Sequence, residues 1–279
     1  MTDQVQLPTL IDSSLTLVNR VATLTFQRHD VRNALTGTSI IDDILNVAEW
    51  VNCTPEVSVL IITGDGSAFS SGGNIKEMTE RNGERKDGAF GGDVYTVQNK
   101  YRQGIQRVPL AMAKIDIPVI AAVNGAAMGA GFDLTCMCDI RIGSSRAKMG
   151  ENFVNLGIIP GDGGAWFLQR LIGYQKAAEL TLTGRVFDAA EAKELGVLLE
   201  VVEPEELLNR ANKLASQMAS KPPQALRMSK RLLKTAQKME LPEFLEHCAL
   251  MQGICHNTDD HLEAVNAFVE KRDPVYKGQ

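Results

Sequence analysis

The stretch "IIPGDGG", Ile158 to Gly164, sets one acid among three glycines and a proline. An aspartate between glycines makes Asx-turns, its side chain accepting from a backbone N–H two residues on. The other reading of Asp162 is a reactive carboxylate on a tight loop, poised for proton transfer. Two further stretches could do chemistry: "SGGN" from Ser71 and "GAAMGAGFD" from Gly125. Each follows an apolar run, and small residues there can serve close backbone packing alone. Neither gives G-x-G-x-x-G or ends in G-K-S/T, so a nucleotide-phosphate loop lacks its spacing. No G-x-S-x-G is present, which counts against an ordinary serine hydrolase. The third reading uses the backbone. Small residues let a ligand carbonyl approach, and a helix N-terminus points unpaired N–H groups at it. Two such loops together make a two-donor oxyanion hole, each donor contributing about 3 kcal/mol to a developing negative charge.

The five cysteines, Cys53, Cys136, Cys138, Cys248 and Cys255, are scattered and odd in number. That pattern fits buried thiols in a reducing compartment better than a disulfide scaffold. "CMC" at Cys136–Cys138 has no second Cys/His pair nearby. "HNTDDH" at His256–His261 lacks the spacing of two ligands on one helix face. No metal site is expected.

The elements that must position these loops follow from periodicity. "LTLVNRVATLTF" predicts a hairpin turning at Asn19-Arg20. "SIIDDILNVAEWV" has helical spacing. "VSVLIITG" and "PVIAAVNG" are continuous apolar runs, so buried strands, and "IRIGS" is a third. "IKEM" and "YTVQNKYRQGIQRVPLAMAKI" are expected as helix, with the polar "RNGERKDGAFGGDV" between them a mobile loop. "FDLTCMC" and "AWFLQRLIG" continue as helices. This alternation predicts an α/β fold. After Pro204 only helical patterns remain, so residues 1–203 are expected as the core and 204–279 as a helical region whose apolar faces need cover.

The whole chain bounds these readings. At 279 residues, 44% hydrophobic and 23% charged, it suits one large domain or two smaller ones. A formal charge of −5 disfavours general binding to nucleic acid or an anionic membrane. The start "MTDQVQLPTL" does not read as a targeting segment, and no apolar run reaches transmembrane length. A cytoplasmic protein is expected.

"AFSSGGNIKEM", "PVIAAVNGAAMGAGFDLTCMCDIRI", "LGIIPGDGGAWFLQRLIG" and "AAELTLTGRVFDAAEAKELGVLLEVV" together resemble the crotonase, or enoyl-CoA hydratase/isomerase, superfamily. Order and spacing match across nearly the whole chain. The resemblance implies an α/β spiral core of repeated ββα units with a C-terminal helical region, assembled as a homotrimer or a dimer of trimers. It implies an acyl-CoA substrate, no separate cofactor, and an enolate-like anion stabilised by two backbone N–H groups. Those donors map to Gly73 and Ala130. Substrate contacts map to Ala68, Ser70, Gly72, Ile75, Lys76, Met78 and Phe153. For the CoA phosphates the cations available are Arg28, Arg32, Lys76 and, from a neighbouring subunit, Lys271.

The resemblance also implies two acids. Asp133 takes the place of the first glutamate, one methylene shorter. Phe153 stands where the second glutamate belongs and cannot transfer a proton. Glu151 is close, but as part of a strand it would point the same way as Phe153 unless a local bend displaced it. Asp162 is the stronger substitute, by likeness to a comparable acid in some carbon–carbon hydrolases of the superfamily. Three function classes follow: a hydratase using Asp133 and Asp162, an isomerase or carbon–carbon hydrolase with the same oxyanion hole, and a non-catalytic acyl-CoA-binding subunit.

Overall fold

The turn at Asn19-Arg20 folds as its sequence predicts. Strands β1 (Ser13–Val18) and β2 (Val21–Phe26) pair antiparallel. Asn19 and Arg20 have φ of 49° and 69°, the left-handed conformation a two-residue hairpin turn requires at both positions. The computed structural model describes residues 5–75 and 91–279. The expected helix at "IKEM" beyond Ile75 and most of the expected loop at 81–94 lie outside the described residues.

The buried apolar runs become β3 (Val59–Gly64), β5 (Val119–Val123) and β7 (Ile140–Ser144), joined by β10 (Glu200–Val202). With the hairpin they form a six-stranded sheet in the order β1-β2-β3-β5-β7-β10, parallel from β2 onward. Strands covered on both faces have no solvent side, which is why β3 and β5 are apolar without alternation. One face packs on helix α1 (Ile40–Cys53) through Ile40, Ile44, Val47 and Val51, whose spacing makes a single stripe. The other face packs on α8 (Leu207–Ala219), whose Leu207, Ala211, Ala215 and Ala219 meet Val59, Ile61, Ile120 and Ile142. The first helix after Pro204 thus covers the sheet.

A second, smaller sheet places the functional loops. Its strands are β4 (Ala68–Ser70), β6 (Ala126–Met128), β8 (Lys148–Gly150) and β9 (Phe187–Asp188), in that order. The chain leaves β3 for β4, β5 for β6 and β7 for β8, stepping each time from the large sheet to the small one. After β6 it enters α4 (Ala130–Met137) directly. This repeated β-β-α step is the spiral core.

The run at 95–115, expected as one helix, is two: α2 (Val94–Gln103) and α3 (Arg107–Lys114). Gly104 closes the first with φ −104° and ψ −111°. A Cβ there would lie 2.7 Å from the Lys100 carbonyl oxygen, so the break needs glycine. Helices α5 (Gly164–Ile172), α6 (Tyr174–Thr183) and α7 (Ala189–Leu195) precede β10. The chain ends in α9 (Pro223–Thr235), α10 (Leu241–His256) and α11 (Asp259–Glu270).

Candidate active site

The two glycine-rich loops meet. β4 and β6 pair in parallel, which sets the loop after β4 beside the N-terminus of α4. Gly72 has φ +78°, and a Cβ there would lie 2.4 Å from the Met128 carbonyl oxygen and 3.0 Å from the Ala130 nitrogen. A Cβ on Gly131 would lie 2.4 Å from the Ser70 carbonyl oxygen. Only glycine permits this approach from either side.

The hydrogen bonds of the first loop skip one donor. Ser71 N–H donates to the Arg32 carbonyl at 2.9 Å, Gly72 N–H to Ser70 Oγ at 3.1 Å, and Asn74 N–H to Thr36 Oγ1 at 2.8 Å. Gly73 N–H has no such partner among the described residues. On the other side, Gly129 N–H donates to the Gly150 carbonyl at 2.8 Å, and the first helical bond runs from Asp133 N–H to the Gly129 carbonyl at 2.9 Å. Ala130, Gly131 and Phe132 therefore carry the unpaired N–H groups that open every helix.

Ala68 and Ser70 are buried within β4, and the Ser70 hydroxyl donates to the Asn33 carbonyl at 2.7 Å. These two side chains brace the loop from behind. Ile75 is half exposed, and Phe153 lies against Gly129, its ring 3.4 Å from where a Cβ would stand. Lys76 and Met78 lie outside the described residues.

The acids converge under these loops. Asp133, in the first turn of α4, is fully buried. Gly164, opening α5, packs so closely that a Cβ would lie 2.0 Å from Asp133 Oδ2. Asp162 is 3% exposed, on a loop held by a 2.8 Å bond from Gln106 Nε2 to the Gly161 carbonyl. Its two oxygens and both oxygens of Asp133 are buried without a hydrogen-bond partner. The backbone N–H groups of Asp162 and Gly164 favour its charge but close no bond of standard geometry, so the Asx-turn is not made. Burial, then the charge of Asp162, pushes the Asp133 carboxyl well above the usual carboxylate range. Burial likewise raises Asp162.

A third carboxyl joins them where strand alternation pointed elsewhere. β8 ends at Gly150, and Asn152–Leu156 form a 3-10 turn. Glu151, at that turn's start with φ −89° and ψ 65°, is buried and accepts a hydrogen bond from the Thr181 hydroxyl of α6. Its burial, offset by the Thr181 bond and reinforced by Asp162, moves its pKa to about 7.

The model described as "Enoyl-CoA hydratase/isomerase" matches residues 16–279. The chain belongs to that family. The chain is 36% identical to the short-chain-enoyl-CoA hydratase of Clostridium acetobutylicum, over 91% of its length and 92% of the relative. It is 38% identical to a crotonyl-CoA hydratase of Syntrophomonas wolfei, covering 91% and 93%. Its backbone matches a crystal structure of an enoyl-CoA hydratase from Bacillus anthracis with a TM-score of 0.88 at 32% identity, covering 96% of this chain and all of that one.

In this enoyl-CoA hydratase/isomerase chain the cations proposed for phosphate differ in freedom. Arg28 is engaged by Asp30 at 2.9 Å and by Asp12 at 3.4 Å, while Arg32 and Lys271 are exposed. Burial pushes the Cys136 and Cys138 thiols up to about 12, which makes them inert core residues. His256 and His261 come closer than their spacing suggested: the break between α10 and α11 brings His256 Nδ1 within 3.0 Å of His261 Nε2. Among the described residues, no group of three or more His, Cys, Asp or Glu side chains could hold a metal ion.

Proposed function

We propose that this protein adds water across the double bond of an enoyl-CoA. The observation that carries this reading is the juxtaposition of unpaired backbone donors, at Gly73 and at Ala130, with a buried pair of carboxyls, Asp133 and Asp162. A thioester carbonyl between the two donors gains negative charge as water adds at the β-carbon, and both N–H groups stabilise that charge. Addition requires one carboxylate to take the proton of the attacking water and one carboxylic acid to supply a proton to the α-carbon. Two carboxyls buried together divide into those roles, because both cannot carry charge in a dry site. Water's oxygen ends on the β-carbon, and one proton enters and one leaves the pair, so the pair is restored each turnover.

Phe153 fits the apolar part of an acyl chain beside Gly129, and the CoA phosphates are assigned to Arg32 and to Lys271 of a neighbouring subunit in a homotrimer or dimer of trimers. Relatives named as hydratases of crotonyl-CoA and short-chain enoyl-CoA support an acyl-CoA substrate. A second reading, double-bond isomerisation, is favoured by one feature: a carboxyl pair sharing a proton can also move a proton between the α- and γ-carbons. The test follows the conjugated enoyl absorbance of crotonyl-CoA and longer enoyl-CoAs. Loss of absorbance with formation of the 3-hydroxyacyl-CoA is expected. Conversion of a 3-enoyl-CoA to the conjugated isomer without hydration would replace this reading with the second.

A further inference from the structure

Glu151 belongs to neither arm of that mechanism. It is fully buried, and Oε1 has no hydrogen-bond partner among the described residues. Its backbone is fixed beside the oxyanion helix, because the preceding residue, Gly150, accepts the Gly129 N–H that opens α4. Its other oxygen is fixed from α6 by Thr181. Three elements thus bring three carboxyls into one dry region: Asp133 on α4, Asp162 on the loop before α5, and Glu151 after β8.

Among the described residues, the groups facing this cluster include no cation that would cancel its charge. From α4 comes Cys136, whose thiol stays protonated. From α2 comes Tyr101, whose phenol is raised by burial and by the charge of Asp162. Arg141 on β7 lies beside Cys136, and its guanidinium is engaged by the carbonyls of Val197, Thr135 and Cys138. Thr181 donates its hydroxyl to Glu151. Negative charge on Glu151 adds to that on Asp162 in disfavouring ionisation of Asp133, the second ionisation of the pair.

We propose that Glu151, braced by Thr181, is a positioning residue for the reaction: its carboxylate keeps one proton on the Asp133–Asp162 pair. Glu151 touches no substrate in this scheme and acts only through the pair. The inference rests on the hydratase reading for its consequence in turnover, and on the cluster alone for its effect on protonation.

The sign follows from linkage. Charge on Glu151 raises the pair's second ionisation, so the pair keeps its proton donor to higher pH. In Glu151→Gln that charge is gone, and the alkaline limb of the kcat/KM profile should move down by about one pH unit. Thr181→Val removes the bond that favours the carboxylate, so the limb should move the same way by less. Thr181→Ser keeps the hydroxyl and should restore the wild-type limb. An activity-independent arm follows the infrared band of protonated carboxyls against pH in the free protein. Its last stage should be lost at lower pH in Glu151→Gln than in wild type. An alkaline limb and a last infrared stage unmoved in Glu151→Gln would overturn the proposal. If that variant does not fold, identical profiles for Thr181→Val and Thr181→Ser would do the same. A shifted infrared stage in a protein that hydrates no enoyl-CoA would keep this proposal and sink the hydratase reading instead.

Discussion

Asp162 is the residue on which chemistry and turn geometry compete. Its place between glycines is what an Asx-turn asks for, yet its oxygens make no such bond and lie buried against Asp133. A carboxylate left unpaired in a dry site is costly, and protonation is the cheapest relief. Asp162→Asn keeps the shape and the ability to form the same turn. A loop-shaping role predicts near-normal turnover. A proton-transfer role predicts a kcat loss of about 100- to 10,000-fold, with affinity for the CoA thioester kept and no loss of melting temperature. The second outcome is expected, with Asp133→Asn as the matched control. A silent Asp162→Asn beside a dead Asp133→Asn would leave one working acid and favour isomerisation over hydration.

At the scale of elements, the proposed oxyanion site is a packing problem before it is a catalytic one. The loop after β4 and the start of α4 approach closely enough that Gly72 and Gly131 tolerate no side chain. Ala130 can be tested by proline, which is favoured at the first position of a helix, where its missing N–H has no helical partner to lose. Ala130→Pro should fold, bind the CoA portion, and lose about 100- to 1,000-fold in kcat, the cost of one oxyanion donor. A folded variant with unchanged kcat would remove Ala130 from the site. Much of this scale was legible in the chain. Runs such as "VSVLIITG" and the stripe of α1 carry a period long enough to read. The small sheet was not legible, because β4, β6 and β8 have three residues each and three residues show no period. The direction of Glu151 was hidden for a related reason: a strand reading was carried across Gly150, where the backbone turns into a 3-10 helix that reorients each following side chain. The split of α2 from α3 turned on Gly104, and a single glycine inside a helical pattern reads equally as tolerated or as a stop.

At the scale of the whole molecule, the C-terminal helices leave apolar surface uncovered. α10 spans sixteen residues, none of them buried, and Leu241, Leu245, Leu250 and Ile254 are all exposed. On α11, Leu262, Phe268 and Val269 are exposed, Phe268 to 86%. An apolar surface shared by two neighbouring helices is more than scattered exposed leucines explain, and such patches mark interaction sites. The sheet cannot cover them, because α8 already occupies its outer face. Further copies of the chain can, as the proposed trimer or dimer of trimers requires. Sedimentation of the wild type should give one species at three or six times the 30.4 kDa chain mass. Leu250→Glu and Phe268→Glu each put a charge where a contact would desolvate it, which an interface tolerates poorly. Both should lower the assembly state at micromolar concentration while each chain keeps its helical content. Loss of assembly should raise KM for the CoA thioester more than it lowers kcat, since the proposed oxyanion donors and all three acids lie within one chain. A stable monomeric wild type, or two charged variants that sediment unchanged, would leave these helices to some other partner.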